Sequence, residues 1–426
     1  MTFKRWVRSA GGAVLLCGAT VVQLAPPAVA DSIRDRQWAV ASFDVDDIRK
    51  VSMGKGVTVA LVDSGVDGTH PDLVGNVLPG KNFLKGSGRA DREKEDVHGT
   101  AMASLIAGHG HGPGGRAGIM GLAPAAKILS LRVNTDDGLG VGTGKGDAPV
   151  SQAIRYAVDH GATVINLSLG DEFKVPGMDD AIQYAQERDA VIVAASGNDG
   201  VGTPNYPASY PGVISVGGVD SSGKIWDKSN YGPHVLLSAP AVDVVSAGPR
   251  RQYGGGSGTS NSTAYVSAAA ALLRAKFPDL TAGQIANRLV KTAKLPESAT
   301  GLKVPDKHYG YGFIRPYSAL TADIPVGSKN GPLPAPSPTP SAAAPAESAK
   351  PDTSSSGDRS VYVVAAVAGA VALGLMAALA VVVIRRRRPV VPPAPPVIPD
   401  VYMAPPRPGG AQPPYDGQRP GSGFGQ

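Results

Sequence analysis

The chain has 426 residues, one cysteine and a formal charge of +6, a length that exceeds one compact core unless part of it is tail. The charge sits at the ends: Lys4, Arg5 and Arg8 supply three units and Arg385–Arg388 four, so residues 9–384 carry a net charge of −1. A near-neutral body has no electrostatic footprint for nucleic acid, and the lone Cys17 excludes disulfides, a thiol nucleophile and a thiolate metal site from everything beyond residue 30.

Residues 1–30 combine a basic start, an apolar run from Ala10 to Leu24 and the small-residue exit Ala28-Val29-Ala30, which reads as a secretory signal cut after Ala30. Residues 31–56 form a short extension. The next stretch, to Asp323, has the composition of one large domain. Its apolar runs Val57–Val62, Lys127–Val133, Thr163–Leu169, Val191–Ala195 and Val213–Val219 have strand length and are continuous rather than alternating. That pattern belongs to a sheet covered on both faces. Helical patterns lie between them. "PVSQAIRYAVDHG" places Val150, Ile154, Ala157 and Val158 on one stripe, with Pro149 at its start and Gly161 past its end. Thr281 and Gln284 open a later helix as a capping box. The alternation predicts an α/β fold with a mostly parallel sheet and helices on both faces. In such folds, sites gather at the carboxyl ends of the strands.

Two other chemistries are excluded. "GLGVGTGKG" has Leu139 and Gly146 where a phosphate loop needs glycine and Ser/Thr. His109 and His111 stand in a glycine-rich loop without a third ligand. No metal site and no cofactor are predicted.

Four short segments together supply the parts of acyl transfer. "VALVDSGVDG" ends a strand on Asp63, "EDVHGTAMA" puts His98 at the start of a helical run, "VAASGNDG" ends a strand on Asn198, and "GSGTSNSTAY" carries Ser260. A serine hydroxyl is a weak nucleophile and needs a base that is neutral near pH 7, which an imidazole is. The imidazole needs a carboxylate to fix its tautomer, for which Asp63 is the candidate. The oxyanion needs donors, for which the Asn198 amide and the Ser260 backbone N–H are the candidates.

The order Asp…His…Ser, with Asp63-Ser64-Gly65, His70-Pro71-Asp72-Leu73, His98-Gly99-Thr100 and Gly258-Thr259-Ser260, resembles the subtilisin-like serine peptidases. The resemblance implies that "VINLSLG" lines a specificity pocket through Ser168, Leu169 and Gly170. It implies that Gly138, Leu139 and Gly140 belong to a substrate-pairing edge. The layout of signal, peptidase domain, Pro-rich linker, membrane helix and short tail resembles the mycosins, as does "RDRQWAV" before the domain. It implies a protein or peptide substrate and association with type VII secretion components. Residues 31–56 are too short for an inhibitory prodomain and are expected to pack on the domain. Where the family has small or apolar residues after the serine, then proline, this chain has Asn261, Ser262 and Ala264, and Val97 precedes His98 in place of glycine. These departures motivate an alternative, a degenerate peptidase serving as a structural part of a membrane complex.

Residues 324–360 are Pro/Ala/Ser-rich and read as linker. Val361–Ile384 contains no charge, and 24 residues make roughly 36 Å of helix, enough to span a bilayer. Arg385–Arg388 hold its far end in the cytoplasm, which leaves the domain outside and residues 385–426 as a Pro-rich cytoplasmic tail. Ala366, Ala370, Gly374 and Ala378 give the span a small-residue face suited to close packing.

Overall fold

Apolar strands that hide both faces need helices on both sides, and the chain is built that way. The structure, a computed structural model, describes residues 30–84, 89–135, 138–139 and 147–334. Seven parallel strands form the main sheet: β1 (Thr58–Asp63), β2 (Val77–Asn82), β3 (Lys127–Arg132), β4 (Val164–Leu167), β5 (Val191–Ala195), β6 (Ile214–Val219) and β7 (Val235–Pro240). Their spatial order is β7-β6-β5-β4-β1-β3-β2. A separate antiparallel ribbon pairs β8 (Val244–Gly248) with β9 (Gln252–Gly256).

Successive strand residues feed two different cores. Val59 and Leu61 of β1, and Val191 and Val193 of β5, pack with the helices α1 (His98–Ala107) and α4 (Thr259–Lys276). Ala60, Val62, Ile192 and Ala194 pack on the other face with α2 (Pro149–Asp159) and α3 (Met178–Glu187). Period-2 direction is preserved, and both directions are buried. The two-faced α/β fold expected from the sequence is the one observed.

Helix α4 is buried from Thr259 to Arg274. A helix surrounded on all sides cannot be amphipathic, and its alanines allow close approach of the strands. It runs unbroken through Ala264, the residue that replaces the family's proline. Helix α5 (Ala282–Thr292) begins with the expected box: Thr281 N–H donates to Gln284 Oε1 at 2.9 Å and Gln284 N–H to Thr281 Oγ1 at 3.3 Å. In α2 the buried stripe is Val150, Ser151, Ala153, Ile154 and Ala157; Val158, expected on it, is half-buried.

Residues 30–56 lie on the domain. Gln37 pairs with both backbone groups of Met120, donating from Nε2 at 3.0 Å and accepting at Oε1 at 2.9 Å. Trp38 Nε1 donates to Val242 O, and Phe43 and Ile48 are buried in the α1–α4 core. At the other end, residues 324–334 lie along α5, where Thr281, Gln284 and Asn287 donate to the carbonyls of Lys329, Gly327 and Pro325. The signal, the apolar span and the tail read from the sequence fall outside the described residues. Among the described residues no helix is long and apolar enough to cross a membrane.

Candidate active site

Asp63 is the last residue of β1, at the carboxyl end of the sheet, and is 1% exposed. Its Oδ1 accepts from Ser64 N–H at 2.7 Å and from His98 Nδ1 at 2.8 Å. Such a bond leaves the other ring nitrogen, Nε2, as the one to exchange a proton. His98 opens α1, with its side chain 37% exposed. The two elements meet because residue 99 is glycine: a Cβ there would overlap the carbonyl of Gly65. Gly99 N–H also donates to Ser64 Oγ at 3.0 Å. Val97 has ordinary helical angles, φ −86° and ψ −34°, so its departure from the family's glycine costs no backbone strain.

Two buried carboxylates order the loops beside His98, Glu93 in the loop that leads to it and Asp67 in the loop after β1. Burial works against the charge of Asp67, but the Thr69 hydroxyl and the N–H groups of Arg250 and Thr69 hold its pKa below the ordinary range. Burial likewise opposes the charge of Glu93, and the N–H groups of Glu95 and Asp96, the Arg132 guanidinium and the Lys94 N–H together lower its pKa.

Ser260 is the second residue of α4 and is 9% exposed. Its Oγ donates to Ser168 O at 3.3 Å, and Ser168 Oγ donates back to Ser260 O at 3.0 Å. Asn166 Nδ2 donates to Ser168 Oγ, and Ser267 Oγ to Asn166 Oδ1, each at 2.9 Å. Thr163–Leu169 was expected to be strand throughout. The strand runs Val164–Leu167 and stops where Ser168 turns to make these contacts with α4, while Leu169 packs in the core with α2 and α3.

Asn198 is exposed, and its Oδ1 accepts from both Thr259 N–H and Thr259 Oγ1, each at 2.9 Å. A backbone N–H can only donate, so this pair fixes which end of the amide is oxygen and leaves Nδ2 toward the cleft. In the sequence Thr259 stands only as the middle residue of Gly258-Thr259-Ser260; its role in orienting Asn198 shows in the hydrogen bonds alone. Asn261, which was singled out, donates from Nδ2 to Ala241 O and Gly256 O, both at 3.1 Å. Its donor is engaged by backbone, away from the nucleophile.

His98, Asn198, Thr259 and Ser260 border a cleft of about 390 Å³, which Ser168, Leu169 and Gly170 also line. Asn205 and Asp96 line it too, and neither stood out in the sequence. Gly138 and Leu139 form a two-residue strand paired with Thr135 and Asn134, while Gly140 lies outside the described residues. A second cavity of similar volume, between Trp38, Phe43 and Pro316, is remote from all of these groups. His111 Nδ1 lies 2.6 Å from Asp72 Oδ1, and among the described residues no group of three or more His, Cys, Asp or Glu is placed to hold a metal ion.

The region that forms this fold is similar to known proteins. Residues 54–312 match the subtilase family, peptidase S8, and the chain belongs to it. In class it is a subtilisin-like serine endopeptidase. Thermitase of Thermoactinomyces vulgaris is 33% identical over 285 residues, covering 67% of this chain and 96% of thermitase. A thermophilic serine proteinase of Bacillus sp. strain AK1 is 36% identical over 277 residues, and the chain spans only 64% of that protein's length. Within the class, the relation is to the mycosins. The crystal structure of MycP1 from the ESX-1 type VII secretion system matches with TM-score 0.61 and 31% identity, covering 70% of this chain and 88% of that one. MycP1 with its N-terminal propeptide removed matches with TM-score 0.60 and 32% identity, covering 68% and 99%.

Proposed function

We propose that this chain is a membrane-anchored, extracytoplasmic serine endopeptidase that works beside a type VII secretion system. The observation that carries the catalytic part is the bond from His98 Nδ1 to the buried Asp63, at the edge of the cleft that Ser260 and Asn198 border. Ser260 Oγ attacks the scissile carbonyl as His98 Nε2 takes its proton. Asp63 holds the tautomer and stabilises the imidazolium. Asn198 Nδ2 and Ser260 N–H donate to the oxyanion, at the positive end of α4. His98 then protonates the leaving amine as the C–N bond breaks, and water, activated by the same nitrogen, hydrolyses the acyl-enzyme. Ser168, Leu169 and Gly170 line the acyl side, and Gly138, Leu139 and Gly140 are assigned to the pairing edge for substrate backbone. Asn261 is compatible with this chemistry because its donor is bound to carbonyls, so the degenerate reading gains no support.

The anchor is assigned to Val361–Ile384, with Arg385–Arg388 on the cytoplasmic side. Support for the secretion role is the likeness to MycP1 from the ESX-1 system. The test is N-terminal peptide profiling of exported proteins from wild-type and Ser260→Ala cells. New N-termini that vanish in the variant, in proteins exported by that route, support the proposal. Identical profiles would count against it.

A further inference from the structure

Two recesses meet at Ser260, and their chemistry differs. One, of about 390 Å³, runs along Ser168–Gly170; the other, of about 380 Å³, runs along Gly254–Gly258. His98, Asn198 and Ser260 border both.

The first recess is polar. Asp96, Asp199, Asn134 and Asn205 line it, Asp96 Oδ1 also accepts from His98 N–H at 3.2 Å, and none of the described residues lining it is lysine or arginine. Asn205 is 6% exposed, and its Oδ1 has no hydrogen-bond partner among the described residues. The amide lies so close to the recess wall that a Cβ at Gly170 would overlap Oδ1. A buried polar group without a partner costs free energy that a bound group of matching polarity can return.

The second recess is mostly apolar. Val97, Ala101 and Met102 supply one wall, and Val97 is 52% exposed. The facing strand is glycine at 254, 255 and 256, where an added Cβ would meet nothing within 4 Å. None of the three has a positive φ, so the backbone does not require glycine there. Missing side chains leave room against the Val97 wall, and Asn261 holds this strand in place through Gly256 O.

We infer that the cleft is chemically divided at Ser260 and selects segments with a cationic side chain on the acyl side and a bulky apolar side chain just after the scissile bond. Lysine or arginine would face Asp96 and Asp199 in a recess that offers no competing cation among the described residues. A large apolar residue beyond the bond would bury against Val97 and Met102. The inference rests on the endopeptidase reading above, and its test separates the two.

The full chain in detergent is given a mixture of random peptides, and the products are sequenced by mass spectrometry. Lys and Arg should be enriched among the acyl-side residues, and Leu, Ile, Met and Phe directly after the bond. Asp199→Asn should lower the preference for a Lys peptide over its Gln counterpart by about threefold. Gly255→Leu and Val97→Thr, both exposed changes, should lower the preference for Phe over Ala after the bond by about tenfold. A flat or reversed profile, or variants that scale all peptides alike, would overturn the inference while leaving the endopeptidase intact. Labelling of Ser260 by a phosphonate without cleavage of any peptide also overturns it, because the mixture contains the specified segment. Absence of both labelling and cleavage removes the endopeptidase reading and this inference with it.

Discussion

Two histidine–aspartate pairs in this molecule are nearly superimposable in their numbers and differ in everything around them. His98 Nδ1 lies 2.8 Å from Asp63 Oδ1, and His111 Nδ1 lies 2.6 Å from Asp72 Oδ1. The carboxylates are 1% and 0% exposed, and the histidine side chains 37% and 39%. The Asp72 pair is closed by structure: Ile119 N–H and Tyr253 OH donate to Asp72 Oδ2 at 2.8 and 3.0 Å. Burial and the adjacent Asp72 charge push the Tyr253 hydroxyl above its ordinary range, so it stays a donor. The Asp63 pair instead borders a cleft with a serine and an amide. A paired imidazole alone is therefore no mark of catalysis; the neighbours decide.

The two pairs should differ most in their effect on activity. Ser260→Ala and His98→Ala should each lower kcat by about a million-fold, and the double variant should be no worse, because such groups act as a unit. Additive losses in steady-state assays would mean that the roles are misassigned. Asp63→Asn should keep the fold, measured by circular dichroism, and lower kcat by about ten-thousandfold. Thr259→Val removes one of the two donors that orient Asn198 and should lower kcat by about a hundredfold with little change in KM. A change confined to KM would mean that Thr259 acts on binding.

The Asp72 pair should respond in the opposite sense. Asp72→Asn puts a donor where Ile119 N–H or His111 needs an acceptor, and should cost about 1–3 kcal/mol of stability in denaturant unfolding. Activity per folded molecule should persist. The smallest effect is in pH. Burial holds His70 and His234 below their ordinary value of 6.5, against the nearby Asp72 charge in the case of His70. The unfolded chain then binds protons more readily, so stability should fall as pH drops below 6.5. Asp67 and Glu93, held below their ordinary 3.8 and 4.5, should add a second loss as pH falls through their folded values. A melting temperature that does not change between pH 7 and pH 3 would contradict this.

Much of this was legible in the sequence for a physical reason. The central strands β1, β3, β4, β5 and β6 are buried on both faces, so they read as unbroken apolar runs. β2, with the half-exposed sequence VLPGKN, has no such signal. Asp63, His98, Asn198 and Ser260 stood out because each sits at a strand end or helix start with a distinctive neighbour. Asn205 and Asp96 did not, because what matters about them is which recess they line. Gln37 could not be matched to Met120, 83 residues away, by any local pattern. Residues 324–334 read as linker because composition does not reveal carbonyls that accept from Thr281, Gln284 and Asn287.

In the proposed mechanism Ser260 is the nucleophile, activated by the open His98–Asp63 pair and not by the closed His111–Asp72 pair. The direct measurement is the rate and position of covalent labelling by a fluorophosphonate, read by intact mass and peptide mapping. One adduct is expected, on Ser260, formed at similar rates in wild type and Asp72→Asn, strongly slowed in His98→Ala and absent in Ser260→Ala. An adduct on another residue, or equal labelling in His98→Ala and wild type, would contradict this mechanism.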